Sequence, residues 1–562
     1  MSGALYSALH WGTESANELV MAVPLQDVVT DRVARAGSEW VQGASGTEDA
    51  WITGWDYTLT VRQRYIPDRL SSSTSDTFFA GSRSWQEFLD WARDKQSFRF
   101  IPDRDYPDFY IPDCYLVEPL RGGGVPSSSG QDRDIEITIR NATYDFALAL
   151  RGLMVEYRAG GATAGVWTYT RAGTALYHGP TGVATAAVDT VRDRHFWGDE
   201  RVTLIERAGE NVVLHSQQFD DADWTVAQAT ISANAATAPD GTTTADHLIE
   251  DATAATSHRL QQDIVIGAGN DVVWSVYAFA GTRSWLRLAL DATVGGSAQT
   301  AWFDLATGAL GSTSGANVVY SAIEPVRGYT GWYRCILCAS IGGAFGTMRC
   351  HAALATQDAE IAYDGDGAGY LVLWQAQAEV AVTSVSSPIL TTTAAASRVA
   401  HAGFTRAFVW RPQPLWIYLR YVETGTLHLG AAKNLALIGG PGSSSNPRLR
   451  VFLGSSGSYT VTYDDGITAR SAALALAPAI GQVVELLVRV GASGLEMRGS
   501  VAEGGESSAS DAASTFPLAW SAASVSLGGT PSGGSADVAA IEVLTIGARV
   551  AEVTTIAQAR ST

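Results

Sequence analysis

The chain is short of charge, of cysteine and of long apolar runs. Only 17% of its 562 residues are Asp, Glu, Lys or Arg, while 46% are hydrophobic. Its four cysteines, Cys114, Cys335, Cys338 and Cys350, are too few to frame a chain of this length with disulfides. No apolar run approaches the roughly 18 residues that cross a bilayer, so no membrane span is expected. The opening Met1-Ser-Gly-Ala-Leu-Tyr6 has no basic stretch followed by an apolar one, so no secretory leader and folding in a cytoplasm are expected. Cations are scarce as well, with 38 Lys and Arg against 57 Asp and Glu and a net charge of −19. Such a chain repels a phosphate backbone, which argues against nucleic acid as a main partner.

Catalytic signatures are missing too. There is no Gly-x-Ser-x-Gly elbow, no His-Glu-x-x-His and no phosphate loop. Acidic pairs such as Asp220/Asp221 and Asp464/Asp465 are ordinary in turns and nominate no glycosidase dyad, which needs two carboxyls set across a cleft. No long β-helix repeat of the depolymerase kind is visible. The chain is therefore read as a non-enzyme.

What is abundant is glycine, with 57 residues, on a background of small side chains, together with 17 Trp, 20 Tyr and 16 Phe. Glycine supplies tight turns and the aromatics supply buried area. The fold class this implies is all-β, in several sandwich or jelly-roll units, because 562 residues exceed what one core holds. Residues 1–155 read as strands with one helix. Ser84-Trp-Gln-Glu87 forms a capping box, and Trp85, Phe88, Leu89 and Ala92 follow at helical spacing. Tyr57–Arg64 and Asp134–Arg140 alternate with the period of half-buried strands. In the last segment, Leu415–Val422, Arg448–Leu453 and Tyr459–Tyr463 are separated by glycine-rich turns, as in a sandwich.

The central segment carries the most specific pattern. Asn211-Val-Val-Leu-His-Ser-Gln-Gln-Phe-Asp-Asp-Ala-Asp-Trp224 and Pro239-Asp-Gly-Thr-Thr-Thr-Ala-Asp-His-Leu248 are followed by Trp274–Ala278, Gly281-Thr-Arg-Ser-Trp285, Trp302–Gly308, Gly331-Trp-Tyr-Arg334 and Leu373–Glu379. In this order they resemble a carbohydrate-binding jelly-roll module common in bacteriophage tail proteins. The layout of residues 1–155 is similar to the N-terminal domain of siphophage distal tail proteins, and residues 401–562 are similar in strand spacing to concanavalin-like lectin domains.

The resemblance implies a tail-tip or baseplate protein, made in the host cytoplasm and resident in the virion tail. Residues 1–155 would dock to the tail tube as a homo-oligomeric ring among other baseplate proteins, 156–210 would connect, and 211–382 would form the jelly roll. Residues 383–400 would link it to the lectin-like domain at 401–562. The outer modules would bind host surface polysaccharide; the alternatives are tail decoration without binding and a depolymerase.

Glycan recognition needs aromatic faces with polar side chains beside them. After Gly281, Leu286, Leu288 and Leu290 alternate with Trp285, Arg287, Ala289 and Asp291, and Met348, Cys350, Ala352 and Leu354 alternate with Arg349 and His351. The apolar sets face the core, so Trp285, Arg287, Arg349 and His351 become the candidate carbohydrate-binding residues on one polar face. The competing role for Trp285 is to seal the module against its neighbour. Trp224, Trp274, Trp302, Trp332 and Trp374 read as packing residues. In Leu371–Gln377 the phase of Leu371 and Leu373 also carries Gln375 and Gln377, so that strand assigns no face.

No metal ligand set is expected. Cys335 and Cys338, three apart on a strand, face opposite sides and cannot share zinc with Cys350 and His351. If 340–347 is a hairpin loop, Cys338 and Cys350 lie opposite each other, as packed small apolar groups or, if oxidised, as a cross-strand disulfide; free buried thiols are the favoured state. Asp364-Gly-Asp-Gly367 lacks the later acidic ligand of a calcium loop. No cofactor is expected, although jelly rolls of the resembled kind often hold a structural calcium.

Overall fold

A computed structural model describes the backbone of the strands within residues 6–140 and, with side chains, most of residues 155–561. The stretches 160–166, 187–194, 293–297, 341–345, 409–414, 425–432, 440–448, 513–522 and 529–538 are the main ones it leaves undescribed. The described residues are overwhelmingly antiparallel β, with one short helix at Ile556–Ser561. The all-β reading holds.

The N-terminal segment forms a seven-stranded sheet in the order 21–24, 6–11, 98–101, 111–116, 133–140, 52–63, 31–36. The two alternating segments expected as strands are observed as Ile52–Gln63 and Arg133–Arg140 and pair with each other directly. The helix expected from Ser84 lies outside the described residues.

The central module is a sandwich of two six-stranded sheets. One sheet runs 225–227, 259–265, 347–355, 285–292, 299–304, 309–314; the other runs 229–236, 245–250, 370–380, 271–280, 332–340, 318–325. Between them lie Leu286, Leu288, Leu290, Met348, Cys350 and Leu354 from the first sheet, and Leu248, Trp274, Val276, Cys335, Leu337 and Leu373 from the second. These side chains recur at period two, so each strand gives one row to the core. Strand Tyr370–Val380 explains its own mixed pattern. Gln375 takes a left-handed φ of 45°, and the pairing with the 271–280 strand slips beside it, between Val276 and Tyr277. This bulge flips the phase, so that Leu371 and Leu373 before it, and Ala376 and Ala378 after it, all reach the core.

The C-terminal sandwich redraws the domain boundaries. Its first sheet includes Leu153–Arg158 and Glu200–Ile205, both paired with Ala539–Gly547, and its second begins with Thr168–Thr170 on Gly403–Phe408. The segment 156–210, read from sequence as a connector, therefore supplies strands to the C-terminal unit. The jelly roll is an insertion in that unit. Its two ends meet in a short ladder, Gly209–Asn211 against Ala396–Arg398.

A buried polar cluster lies at this junction. Glu206, fully buried, pairs with Arg398 at 3.1 Å and accepts hydrogen bonds from the Ser387 amide and hydroxyl at 2.5 and 2.9 Å. Arg207 reaches Glu379 at 3.2 Å, whose carboxylate also accepts from the Ser386 amide at 2.9 Å.

Candidate functional site

The four candidate residues share one face, as the alternation requires. Strands 285–292 and 347–355 pair with Asp291 opposite Arg349, Ala289 opposite His351, and Arg287 opposite Ala353. Since Leu286, Leu288, Met348 and Cys350 fill the core, Trp285, Arg287, Arg349 and His351 stand on the outer surface of the sheet. Two flanking strands extend the row. Strand 259–265 sets Arg259 beside Ala353, Gln261 beside His351 and Asp263 beside Arg349. Strand 299–304 sets Trp302 beside Arg287 and Thr300 beside Ala289. Arg259, Gln261 and Thr300 were not singled out from sequence. Their own alternation was visible, but which strand would neighbour 347–355 was not.

Small and large side chains alternate across this face. Ala353 sits between Arg259 and Arg287, and Ala289 between His351 and Thr300. Directly opposed residues on paired strands stand about 5 Å apart at Cβ and diagonal ones about 7–8 Å. Arg259, Arg287 and His351 therefore ring two alanine positions.

The charges are unevenly matched. Arg349 pairs with Asp263 at 2.8 Å, which raises its pKa. Arg287 is 6% exposed and has no carboxylate partner among the described residues; it donates from Nη1 to the Ile361 carbonyl at 3.1 Å and from Nη2 to Ser257 Oγ at 2.8 Å. Its Nε is buried without a hydrogen-bond acceptor among the described residues. Burial and the nearby Arg259 lower its pKa to about 10. Arg259 donates to Gln261 at 2.8 Å, and burial lowers its pKa also. Among the described residues neither ring nitrogen of His351 is hydrogen-bonded; its Nε2 lies 3.9 Å from Asp291. Burial first, then Arg259, Arg287 and Arg349, bring the His351 pKa down to about 3, so the ring is neutral near pH 7.

The aromatic residues divide differently. Trp302 is 2% exposed and its indole N–H donates to the Glu360 carbonyl at 2.8 Å. It packs, as expected, but on the outer surface beneath the 356–363 loop and not between the sheets. Trp285 is half-buried over Gly311, where a Cβ would meet its ring at 2.7 Å; it closes the sheet edge within the module.

The opposite outer face is sealed. Tyr277, Trp332, Val372 and Trp374 pack with Val183 and Leu176 of the hairpin formed by Ala175–Gly179 and Gly182–Ala186. Gly182, at φ 107°, lets the hairpin tip approach so closely that a Cβ there would meet the Pro239 carbonyl at 2.1 Å. Farther along, Val273, Ile336 and Cys338 are covered by Val385.

The cysteines are corrected in one respect. Strand 332–340 pairs with 271–280 and 318–325, whereas 347–355 lies in the other sheet. The two strands lie in different sheets, so Cys338 and Cys350 are not cross-strand partners. Cys335 and Cys350 share the core while Cys338 lies on the sealed outer face, and all three are buried free thiols whose pKa values burial raises.

The Asp364–Gly367 turn spends its carboxylates internally. Asp364 accepts from the Ala255 amide at 2.7 Å; Asp366 accepts from the Ala368 and Gly369 amides and pairs with Arg283 at 3.1 Å. Among the described residues one other grouping has donors spaced for a cation: His215, Asp221 and Asp223, with ligand atoms within 4.8 Å of one another. Its imidazole links the turn by itself, with Nδ1 at 2.9 Å from Gln218 and 3.5 Å from Asp221, and Nε2 at 3.4 Å from Asp223.

No protein-family profile matches the chain, and no curated protein matches it in sequence. Solved structures give loose likenesses. The LG1-3 region of the laminin alpha2 chain is 11% identical, with 52% of this chain and 64% of that chain covered at a TM-score of 0.20. Domains LG4-5 of the mouse laminin alpha1 chain are 10% identical, over 53% of this chain and 88% of that one, at 0.18. Trypanosoma rangeli sialidase is 9% identical, over 94% and 97%, at 0.21. The match spans less than two thirds of the laminin alpha2 structure. At such TM-scores none of these likenesses locates a site.

Proposed function

We propose that the chain is a non-catalytic adsorption protein of a phage tail tip, whose jelly roll binds host surface polysaccharide through the outer face around Arg287 and His351. The phage assignment rests on the ordered motifs between Asn211 and Glu379. The binding assignment rests on one observation: the outer face of the first sheet gathers more cations than its own carboxylates pair. The outer face of the second sheet is covered by the hairpin and the outgoing segment, where Ser275 and the Ser386 carbonyl take up the buried Arg334. The face of the first sheet carries Arg259, Arg287, Arg349, His351, Gln261 and Thr300. A buried guanidinium without a carboxylate partner is costly in a structural sheet and useful in a recognition surface. In this reading residues 1–155 dock to the tail tube in a homo-oligomeric ring, and the C-terminal sandwich holds the jelly roll at both of its ends.

A scaffold role without ligand is favoured by a different observation, the loop contacts that Arg287 and Trp302 make with Ile361 and Glu360. Binding of the purified protein to host cells and to their extracted polysaccharide separates the two. Saturable binding weakened at least tenfold in Arg287→Gln, with oligomeric size unchanged, supports recognition; a well-folded protein that binds nothing leaves the scaffold.

A further inference from the structure

We propose that Glu324 and Arg334 form a proton-operated latch at the joint between the jelly roll and the C-terminal unit, closed when the Glu324 carboxyl is protonated and released when it ionises. The two residues are cross-strand partners on 318–325 and 332–340, 7% and 3% exposed. They face a chamber closed by other pieces of chain: His178 of the hairpin, Glu206 after strand Glu200–Ile205, and the outgoing residues 385–388. Its volume is about 10 Å³, room for a single water molecule. What the chamber can take up is therefore a proton, not a solute.

Arg334 is turned away from its cross-strand partner. Its Nη1 donates to the Ser386 carbonyl at 2.8 Å, and its Nε and Nη2 to Ser275 Oγ at 3.3 and 3.1 Å. Glu324 Oε1 is buried with no hydrogen-bond partner among the described residues. A carboxylate left in that state is costly, whereas the neutral acid is tolerated. Burial pushes the Glu324 pKa up to about 7, against the pull of Arg334. The groups around it are committed elsewhere. His178, with Nε2 at 2.5 Å from the Tyr277 hydroxyl, is kept neutral by burial and by Arg334, which bring its pKa down to about 3. Tyr277, Tyr320 and Cys335, on the neighbouring strands and its own, have pKa values raised by burial. Glu206 and Glu379 are paired with Arg398 and Arg207, and His195 Nδ1 accepts from the His178 amide at 3.2 Å.

Ionisation changes the best partner for Arg334. Opposed residues stand about 5 Å apart at Cβ, and a carboxylate is a stronger acceptor for a guanidinium than a carbonyl is. Turning to Glu324 takes Nη1 off Ser386, and with it the hold on the segment whose Val385 covers Val273, Ile336 and Cys338. That segment is the return path from the jelly roll to the sandwich. Its release leaves the module held by the hairpin and by the ladder of Gly209–Asn211 on Ala396–Arg398. The latch closes in acid and slackens in base.

The test is hydrogen–deuterium exchange of the full-length protein at about 1.5 pH units on either side of 7, with rates corrected for the intrinsic pH dependence of amide exchange. The Ser386 and Ser387 amides donate to Glu379 and Glu206. They are expected to lose about tenfold in protection on the alkaline side, while strand 285–292 keeps its own. In Glu324→Gln both amides are expected to stay protected at either pH. Equal protection at the two pH values, a loss spread evenly over the chain, or a wild-type response in Glu324→Gln would each overturn the latch. Should that variant not fold, the infrared spectrum of the wild type decides: a protonated-carboxyl band that fades through about pH 7 is expected, and its absence refutes the latch.

Discussion

Replacing Arg398 by methionine removes a cation that lies 3.1 Å from the Glu206 carboxylate. Glu206 is 0% and Arg398 5% exposed, so the pair sits where water does not screen it. In Arg398→Met the Glu206 carboxylate keeps its bonds from the Ser387 amide and hydroxyl but loses the Arg398 charge. Breaking a buried pair by removing one partner costs about 3–5 kcal/mol. Arg398 also donates to the Ser387 hydroxyl at 2.6 Å and to the Arg207 carbonyl at 3.1 Å, which keeps the expected cost in the upper part of that range. The assay is urea unfolding of wild type, Arg398→Met, Glu206→Gln and the double variant. The double variant is expected to be more stable than Arg398→Met alone, because the amide removes the buried charge that the arginine no longer balances. Limited proteolysis is expected to cut first between 384 and 400 in Arg398→Met, where the ladder joins the jelly roll to the sandwich. A loss below about 1 kcal/mol, the level of an exposed pair, would refute the claim that this contact holds the junction.

Four further outcomes are expected. Burial raises the Glu324 pKa to about 7 from 4.5; the folded protein holds the proton more tightly, so stability is full below pH 4.5 and falls by about 3 kcal/mol as pH rises to 7. Glu324→Gln should flatten that part of the stability profile, and an unchanged profile refutes the assignment. Gly182→Ala should lower the melting temperature and loosen the hairpin, because its Cβ meets the Pro239 backbone and its φ is 107°; a wild-type melting curve would show that the hairpin is not docked. Replacing residues 212–395 by a two-residue glycine turn should leave a cooperative unfolding transition for the C-terminal sandwich, since Asn211 and Ala396 are cross-strand partners; loss of all cooperativity would mean that the jelly roll is not an insertion. Cys335, Cys338 and Cys350 should react with a thiol reagent only after denaturation, given their burial and raised pKa values; rapid labelling of the native protein at any of the three would contradict the packing.

The amino-acid sequence by itself determined the β character, the rows of the central sheets and the face on which Trp285, Arg287, Arg349 and His351 stand. Those features follow from period-two alternation, which is a local property: a strand that buries one row must expose the other, whatever its neighbours are. The separation of Cys335 from Cys338 was legible for the same reason. Local alternation failed at Gln375, where a single left-handed residue resets the phase, and the mixed pattern of Leu371–Gln377 was the trace of it. Tertiary structure alone decided which strands pair. It set Arg259 and Gln261 beside the candidate row and carried 347–355 into the opposite sheet from 332–340. It also drew Leu153–Arg158 and Glu200–Ile205 onto a strand more than 330 residues away. Pairing at that range depends on how whole sheets cover one another, and no short window of sequence contains both partners.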